Sequence, residues 1–182
     1  MRLTATVNNS EKKIVFLRKS KKTMKQHKIN IEYTELDTID ELNNEDAYLV
    51  AKAREVANSA WAPYSNFLVG AAVELGNGKI ITGNNQENAA YPSGLCAERV
   101  ALFAANANYP NSPVKTIAIS AFNKNGQVVE PVKPCGSCRQ AILESEMRFE
   151  KPIRLILDGK KHIYIIDGIN NLLPLSFGKH DL

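Results

Sequence analysis

The stretch "PCGSCRQ", Pro134 to Gln140, puts two thiols three residues apart in a 182-residue chain that holds only three cysteines. A C-x-x-C pair serves as a redox dithiol, as half of a structural zinc site, or as two ligands of a catalytic metal. An odd number of cysteines is a poor basis for a disulfide framework, and a reducing compartment favours free or metal-bound thiols. The third cysteine, Cys96 in "SGLCAERVA", falls at an expected helix start, as do Cys135 and Cys138. Helix N-termini present unpaired N–H groups and a positive partial charge, which lower thiol pKa and stabilise thiolates.

A redox dithiol would use Cys135 and Cys138 but leave Cys96 without a role, and the thioredoxin-like setting of a C-x-x-C after a first βαβ strand is absent. A closed structural zinc site needs four ligands, and the histidines, His27, His162 and His180, do not sit at ligand spacing. Three protein ligands with a fourth position open to water is the arrangement of catalytic zinc, and it uses every cysteine. Glu98 stands at i+2 from Cys96 and so does not share its helix face, which suits a base better than a fourth ligand. Three thiolates around a divalent cation leave a net negative centre. Arg99, at i+3 from Cys96, and Arg139, at i+4 from Cys135, are spaced to offset it, although a surface ion pair is an equal reading of Arg139.

Outward from these motifs the chain alternates helix and strand patterns. From about Asn44, Ala47, Val50, Ala53, Ala57 and Ala60 recur at helical spacing until Pro63. "FLVGAAVELGNGKIITGNN" carries two β-rich runs around a Gly-Asn-Gly turn, the pattern of an antiparallel hairpin. A second helix is expected from near Cys96 to before Pro110, a buried strand over "VKTIAISAFN", and a third helix from near Gly136. "IRLILD" and "HIYIID" read as strands meeting at Asp158-Gly159, and "NLLPLSFGKHDL" as a short helix-like tail. The alternation predicts an α/β fold, a three-layer α/β/α sandwich around a mixed β-sheet.

The bulk properties fit a single folded domain: 44% apolar and 23% charged residues, with no run long enough to span a bilayer and no apolar segment of a secretory signal at the N-terminus. A cytoplasmic location is the expectation. The net charge of +4 is uneven, because residues 1–28 hold nine Lys/Arg against Glu11 alone, +8, which leaves −4 for residues 29–182. We take 1–28 as a basic N-terminal extension, either solvated and disordered or an upstream addition ahead of a natural start at Met24, and 29–182 as the catalytic domain.

Taken together, "CAE" followed downstream by "PCGSCRQ" resembles the zinc-dependent cytidine deaminases, specifically the three-cysteine, homotetrameric nucleoside branch. The resemblance extends over "APYSNFLVGAAV" (62–73), "GNNQENAAYPSGLCAERVAL" (83–102) and "LLPLSFGKHDL" (172–182). It implies Cys96, Cys135 and Cys138 as ligands of one Zn²⁺ per subunit and Glu98 as the proton shuttle, with Arg99 compensating charge. It further implies Phe67 lining the base pocket, Asn85 and Glu87 gripping the ribose hydroxyl, and Tyr91 adjoining them. The Ala97 backbone would meet the pyrimidine edge, and Phe177 would serve its own or a neighbouring subunit's site in a homotetramer with interface active sites. The implied reaction is hydrolytic deamination of cytidine and deoxycytidine in pyrimidine salvage, with no membrane or nucleic-acid partner. The alternatives are a polynucleotide cytosine deaminase, a deaminase of a cytosine-containing antibiotic, and a non-enzymatic zinc-stabilised RNA-binding module drawing on the basic extension.

Overall fold

Along the central strands, alternate residues point to opposite faces, and the two faces bury different partners. The computed structural model describes residues 24–182, so most of the basic extension, residues 1–23, lies outside the described residues. Seven strands form one sheet in the order β1-β7-β6-β4-β2-β3, with β5 paired to β4. The strands are β1 (Thr34–Leu36), β2 (Leu68–Leu75), β3 (Ile80–Asn84), β4 (Val114–Asn123), β5 (Gly126–Gln127), β6 (Arg154–Asp158) and β7 (Ile163–Asp167). Among the described residues β4 and β6 make the parallel pair, and the other pairings are antiparallel. The sheet is therefore mixed, as expected, and a parallel pair needs a crossover helix.

That crossover is α3 (Gly136–Phe149), which lies with α2 (Ala97–Asn108) on one face, while α1 (Asn44–Ala57) covers the other. Val73, Leu75, Ile117, Ile119, Leu155 and Leu157 pack with α2 and α3. Their neighbours Ala72, Ala118 and Ile156 pack with Leu49, Val50 and Ala53 of α1. The α1 face is built of small residues because the helix lies close: a Cβ on Gly70 would overlap the Ala53 carbonyl oxygen. On the far face, a Cβ on Gly83 of β3 would come within 2.5 Å of the Ala101 nitrogen, so glycine lets α2 lie directly against the sheet edge.

Local signals explain most boundaries. Asn43 caps α1 by accepting from the Asp46 N–H at 2.8 Å. Gly78, at φ 79°, makes the turn between β2 and β3. Two expectations need correction. The first helix ends at Ala57 rather than reaching Ala60, because Trp61 donates its N–H to the Asn85 carbonyl at 3.0 Å and draws the chain into an extended path. The tail holds short 3₁₀ turns at Ile169–Asn171 and Lys179–Asp181 instead of one helix, broken between them at Pro174 and at Leu175, whose φ is 56°. The edge strand β1 adds to the sequence reading and is three residues long and mostly exposed. No helix among the described residues is long and apolar enough to cross a membrane.

One buried charge anchors α1 to the sheet. Asp158, at the end of β6, has no exposed surface and accepts two bonds from Arg54, both 2.7 Å, plus one each from Ser120 (2.7 Å) and Gln127 (2.9 Å). A buried carboxylate held by four donors leaves all four stranded if it is removed. Asp158→Ala is therefore expected to destabilise the fold by about 3 kcal/mol, read as a lower urea midpoint at unchanged slope. A shift below a third of that would show the network to be dispensable.

Candidate active site

Two helices begin at the same place. Cys96 is the N-cap of α2 and Cys135 the N-cap of α3, and Cys138 is the third residue of α3. An N-cap side chain and the third helical residue naturally approach each other, which is the geometric reason for the C-x-x-C spacing. Neither N-cap thiol bonds its own helix backbone. The sulfurs lie 3.8 Å apart for Cys96 and Cys135, and 3.5 Å apart for Cys135 and Cys138, and none is in a disulfide. Two sulfurs each about 2.3 Å from a tetrahedral zinc stand about 3.8 Å apart, so the three thiols already have the spacing of zinc ligands. All three lie within 4.8 Å of one another.

The cluster's electrostatics favour a cation. The hydrogen bond from Cys138, aided by Arg99 and opposed by burial, lowers the Cys96 thiol to about 5. Its proton-sharing with Cys96, and burial, push the Cys138 thiol up, so Cys96 sheds its proton easily while Cys138 holds its own without a metal. The Arg99 guanidinium sits 3.9 Å from the Cys96 sulfur and 3.4 Å from the Gly94 carbonyl, where its charge faces the thiolates as its i+3 spacing suggested. Arg139 does not: its guanidinium donates to the carbonyls of Pro134 (2.8 Å) and Leu172 (2.6 Å), tying the loop before α3 to the C-terminal tail.

Glu98 is 5% exposed, the least accessible carboxylate near the thiols. Burial raises its pKa, and the negative charge at Cys96 adds to the effect. A carboxyl group tuned upward beside a metal-binding cluster is equipped to take and return a proton near neutral pH. Ala97 is fully buried as the first residue of α2, so its backbone N–H is among those without an intrahelical partner.

Beside Cys96 and Arg99 opens a cleft of about 550 Å³, lined also by Tyr64, Ser65, Asn85, Glu87 and Tyr91. The segment after β3 crosses it, bridged to Trp61 on one side and Leu95 on the other. Asn85 accepts from the Val69 N–H (2.8 Å) and donates to the Phe67 carbonyl (2.9 Å), which leaves one amide N–H and one lone pair for a ligand. Glu87 accepts from the Ser65 hydroxyl at 2.5 Å and from the N–H groups of Tyr64 (2.9 Å) and Ser65 (3.2 Å), and these donors hold its pKa down. Tyr91 stands edge-on to Tyr64 with ring centroids 6.5 Å apart, and both rings are largely exposed.

Not every expected residue faces this cleft. Phe67 is held by its backbone, through Asn85 and the Ser65 hydroxyl (3.0 Å), and does not line it. Phe177 lies elsewhere, its carbonyl bonded to Gln140 of α3 at 2.9 Å and its residue 61% exposed. Conversely, Tyr64 and Ser65 were not singled out from the sequence. The signal was the run "PYSN" ahead of β2, which acquires meaning only when Glu87 folds back across it.

Comparison with known proteins agrees with this geometry. Residues 43–150 match the family model for the cytidine and deoxycytidylate deaminase zinc-binding region. Cytidine deaminase from Sporosarcina psychrophila is 34% identical over 142 residues, 74% of this chain and 92% of that protein. Cytidine deaminase from Mycobacterium tuberculosis is 34% identical over 137 residues, covering 74% and 90%. The crystal structure of cytidine deaminase from Burkholderia pseudomallei superposes with a TM-score of 0.63 at 33% identity, over 75% of this chain and all of that one. Three sulfurs at zinc spacing, on a sheet and helices shared with those enzymes, make this chain a member of the zinc-dependent cytidine deaminase family.

Proposed function

We propose that this protein hydrolytically deaminates free cytidine and deoxycytidine to the corresponding uridines, with Cys96, Cys135 and Cys138 holding one zinc. The observation that carries the reading is the sulfur triangle with a buried Glu98 beside it. When bound, zinc supplies a Lewis acid that makes water a nucleophile at neutral pH. Glu98 accepts the water's proton as its oxygen bonds to C4 of the cytosine, and delivers that proton to N3. The remaining hydroxyl proton goes through Glu98 to the C4 amino group, which leaves as ammonia as the C4 carbonyl forms. The free N–H of Ala97 suits a contact to the pyrimidine edge, and Arg99 balances the excess thiolate charge. Asn85 and Glu87 bind the sugar, each retaining hydrogen-bonding capacity after its structural bonds.

The assembly we propose is a homotetramer in which subunits complete one another's sites. Support comes from the cleft of about 600 Å³ between α2 and α3, where Phe103 is 48% exposed. Arg99 Nε, Asn106 Oδ1 and Ser145 Oγ line it, buried and without partners, the condition of a surface that awaits another polar surface. The exposed Phe177 fits a role in a neighbouring subunit's pocket. Reduced, metal-binding thiols suit the cytoplasm.

Ultraviolet monitoring of cytidine with the purified protein, its zinc content measured, tests the reading directly: one uridine and one ammonia per cytidine are expected. A zinc-loaded protein inert on both nucleosides would end it. Glu98→Gln should lower turnover by about 10²–10⁴-fold with zinc retained, whereas Cys135→Ala should lose metal and activity together. An active Glu98→Gln variant would remove that carboxylate from the proton path, and an active, metal-free Cys135→Ala variant would remove the zinc.

Substrate size is the sharpest discriminator from a polynucleotide deaminase. Three donors on Glu87 leave its carboxylate one acceptor position for a sugar hydroxyl, and a 3′-phosphodiester has no proton to donate and adds a negative charge. Cytidine is expected to react about a hundredfold faster than a short cytosine-containing single strand at equal cytosine concentration. A faster strand reaction would transfer the assignment to polynucleotide editing.

A further inference from the structure

At the β1 edge of the sheet a second group of metal-ligating side chains, sharing no residue with the thiol cluster, converges: Glu35, Asp37 and His162. The pairing of β1 with β7 creates it. Leu36 lies opposite Ile163 and Glu35 opposite Tyr164, and one further step of this antiparallel register sets Asp37 against His162. Leu36 packs into the core on the α1 side, so Glu35 and Asp37, its neighbours in an alternating strand, project together from the other face. Both flanks are held in place. The Asp37 and Thr38 N–H groups donate to Glu41 at 2.8 and 2.9 Å, and the Gly159 N–H donates to the His162 carbonyl at 3.0 Å.

His162 Nδ1 lies 3.3 Å from a Glu35 oxygen and 3.4 Å from an Asp37 oxygen, yet this buried nitrogen makes no hydrogen bond with either. A nitrogen aimed between two carboxylate oxygens without bonding them fits ligands sharing a cation. Nitrogen and oxygen atoms each about 2.1 Å from a tetrahedral metal stand about 3.4 Å apart, the spacing found here. The thiol triangle meets the same test with its longer metal–sulfur bonds. Two carboxylates and a neutral imidazole also balance a divalent charge, and this nitrogen-oxygen set suits zinc and its borderline neighbours.

We propose that Glu35, Asp37 and His162 form a second, non-catalytic site for a divalent transition cation such as Zn²⁺, which staples the edge strand β1 to β7. Asp37 is 85% exposed and Glu35 42%, so water completes the coordination and the metal exchanges with solvent. Glu35 and Asp37 reside on the short strand that precedes α1, outside the 43–150 span of the family match, so the site is separate from the chemistry of the thiols.

The test is equilibrium dialysis of the untagged, full-length holoenzyme against graded ZnCl₂ after loosely held metal has been stripped on a chelating resin. Two zinc ions per chain are expected, one retained through stripping and one taken up reversibly. His162→Gln should abolish the reversible equivalent, leaving the retained zinc and the deamination rate unchanged, and Asp37→Asn should weaken it about tenfold or more. Saturation at one zinc, or a second zinc indifferent to both substitutions, would overturn the site and leave the cluster an ordinary ion pair. The retained and reversible equivalents are counted separately, so failure here is distinct from failure of the deaminase reading.

Discussion

Everything at the site depends on the convergence of two helix N-termini. Thiols at the N-caps of α2 and α3 can meet only if both helices lie on the same face of the sheet with their starts together. The parallel pairing of β4 and β6 imposes this for α3, because its crossover must return along that face. For α2 the condition is steric: Gly83 brings the helix backbone against β3 with no side chain between them. Convergence supplies two things at once. Unpaired N–H groups and the positive helix ends favour thiolates, and the separations fall close to those around a tetrahedral zinc.

The carboxylate we assign to proton transfer comes from the same geometry. Glu98 is in the first turn of α2 and is drawn inside with the helix, so burial beside the thiols raises its pKa without a dedicated partner. Arg99, the next residue, turns back toward Cys96 and offsets the anionic cluster. The cleft wall works differently: Glu87 and Asn85 brace the segments before β2 and at its start while keeping part of their hydrogen-bonding capacity. In the sugar-binding role proposed for them, a substrate would meet side chains already fixed in direction.

The opposite side of the molecule is purely structural. The Asp158 network locks α1 to β6 and β4, and Asp46 of α1 pairs with Arg154 at the start of β6. These ionic contacts bracket the small-residue surface under α1 at both ends of β6. The reactive face can then carry one exposed thiol and unpartnered polar groups, because the other face holds the helix and sheet together.

The sequence by itself determined the elements and the chemical inventory. Periodicity marked α1, α2, α3 and the main strands, turn glycines marked the hairpin, and three cysteines with an adjacent Glu-Arg pair marked a metal centre, because each of these signals lies within a few neighbouring residues. What local patterns could not supply was decided by tertiary contacts. Arg139 is, like Arg99, about one helical turn from a cysteine, yet it turns to the carbonyls of Pro134 and Leu172, the latter in a segment that follows more than thirty residues later. Tyr64 and Ser65 join the cleft only because Glu87, distant in sequence, folds onto their backbone. The edge strand β1 and the approach of its Glu35 and Asp37 to His162 exist through pairing with β7, at the other end of the domain. Side-chain identity and spacing are local properties of a chain, whereas the partner a charged group finds depends on which distant segments the closed core brings alongside it.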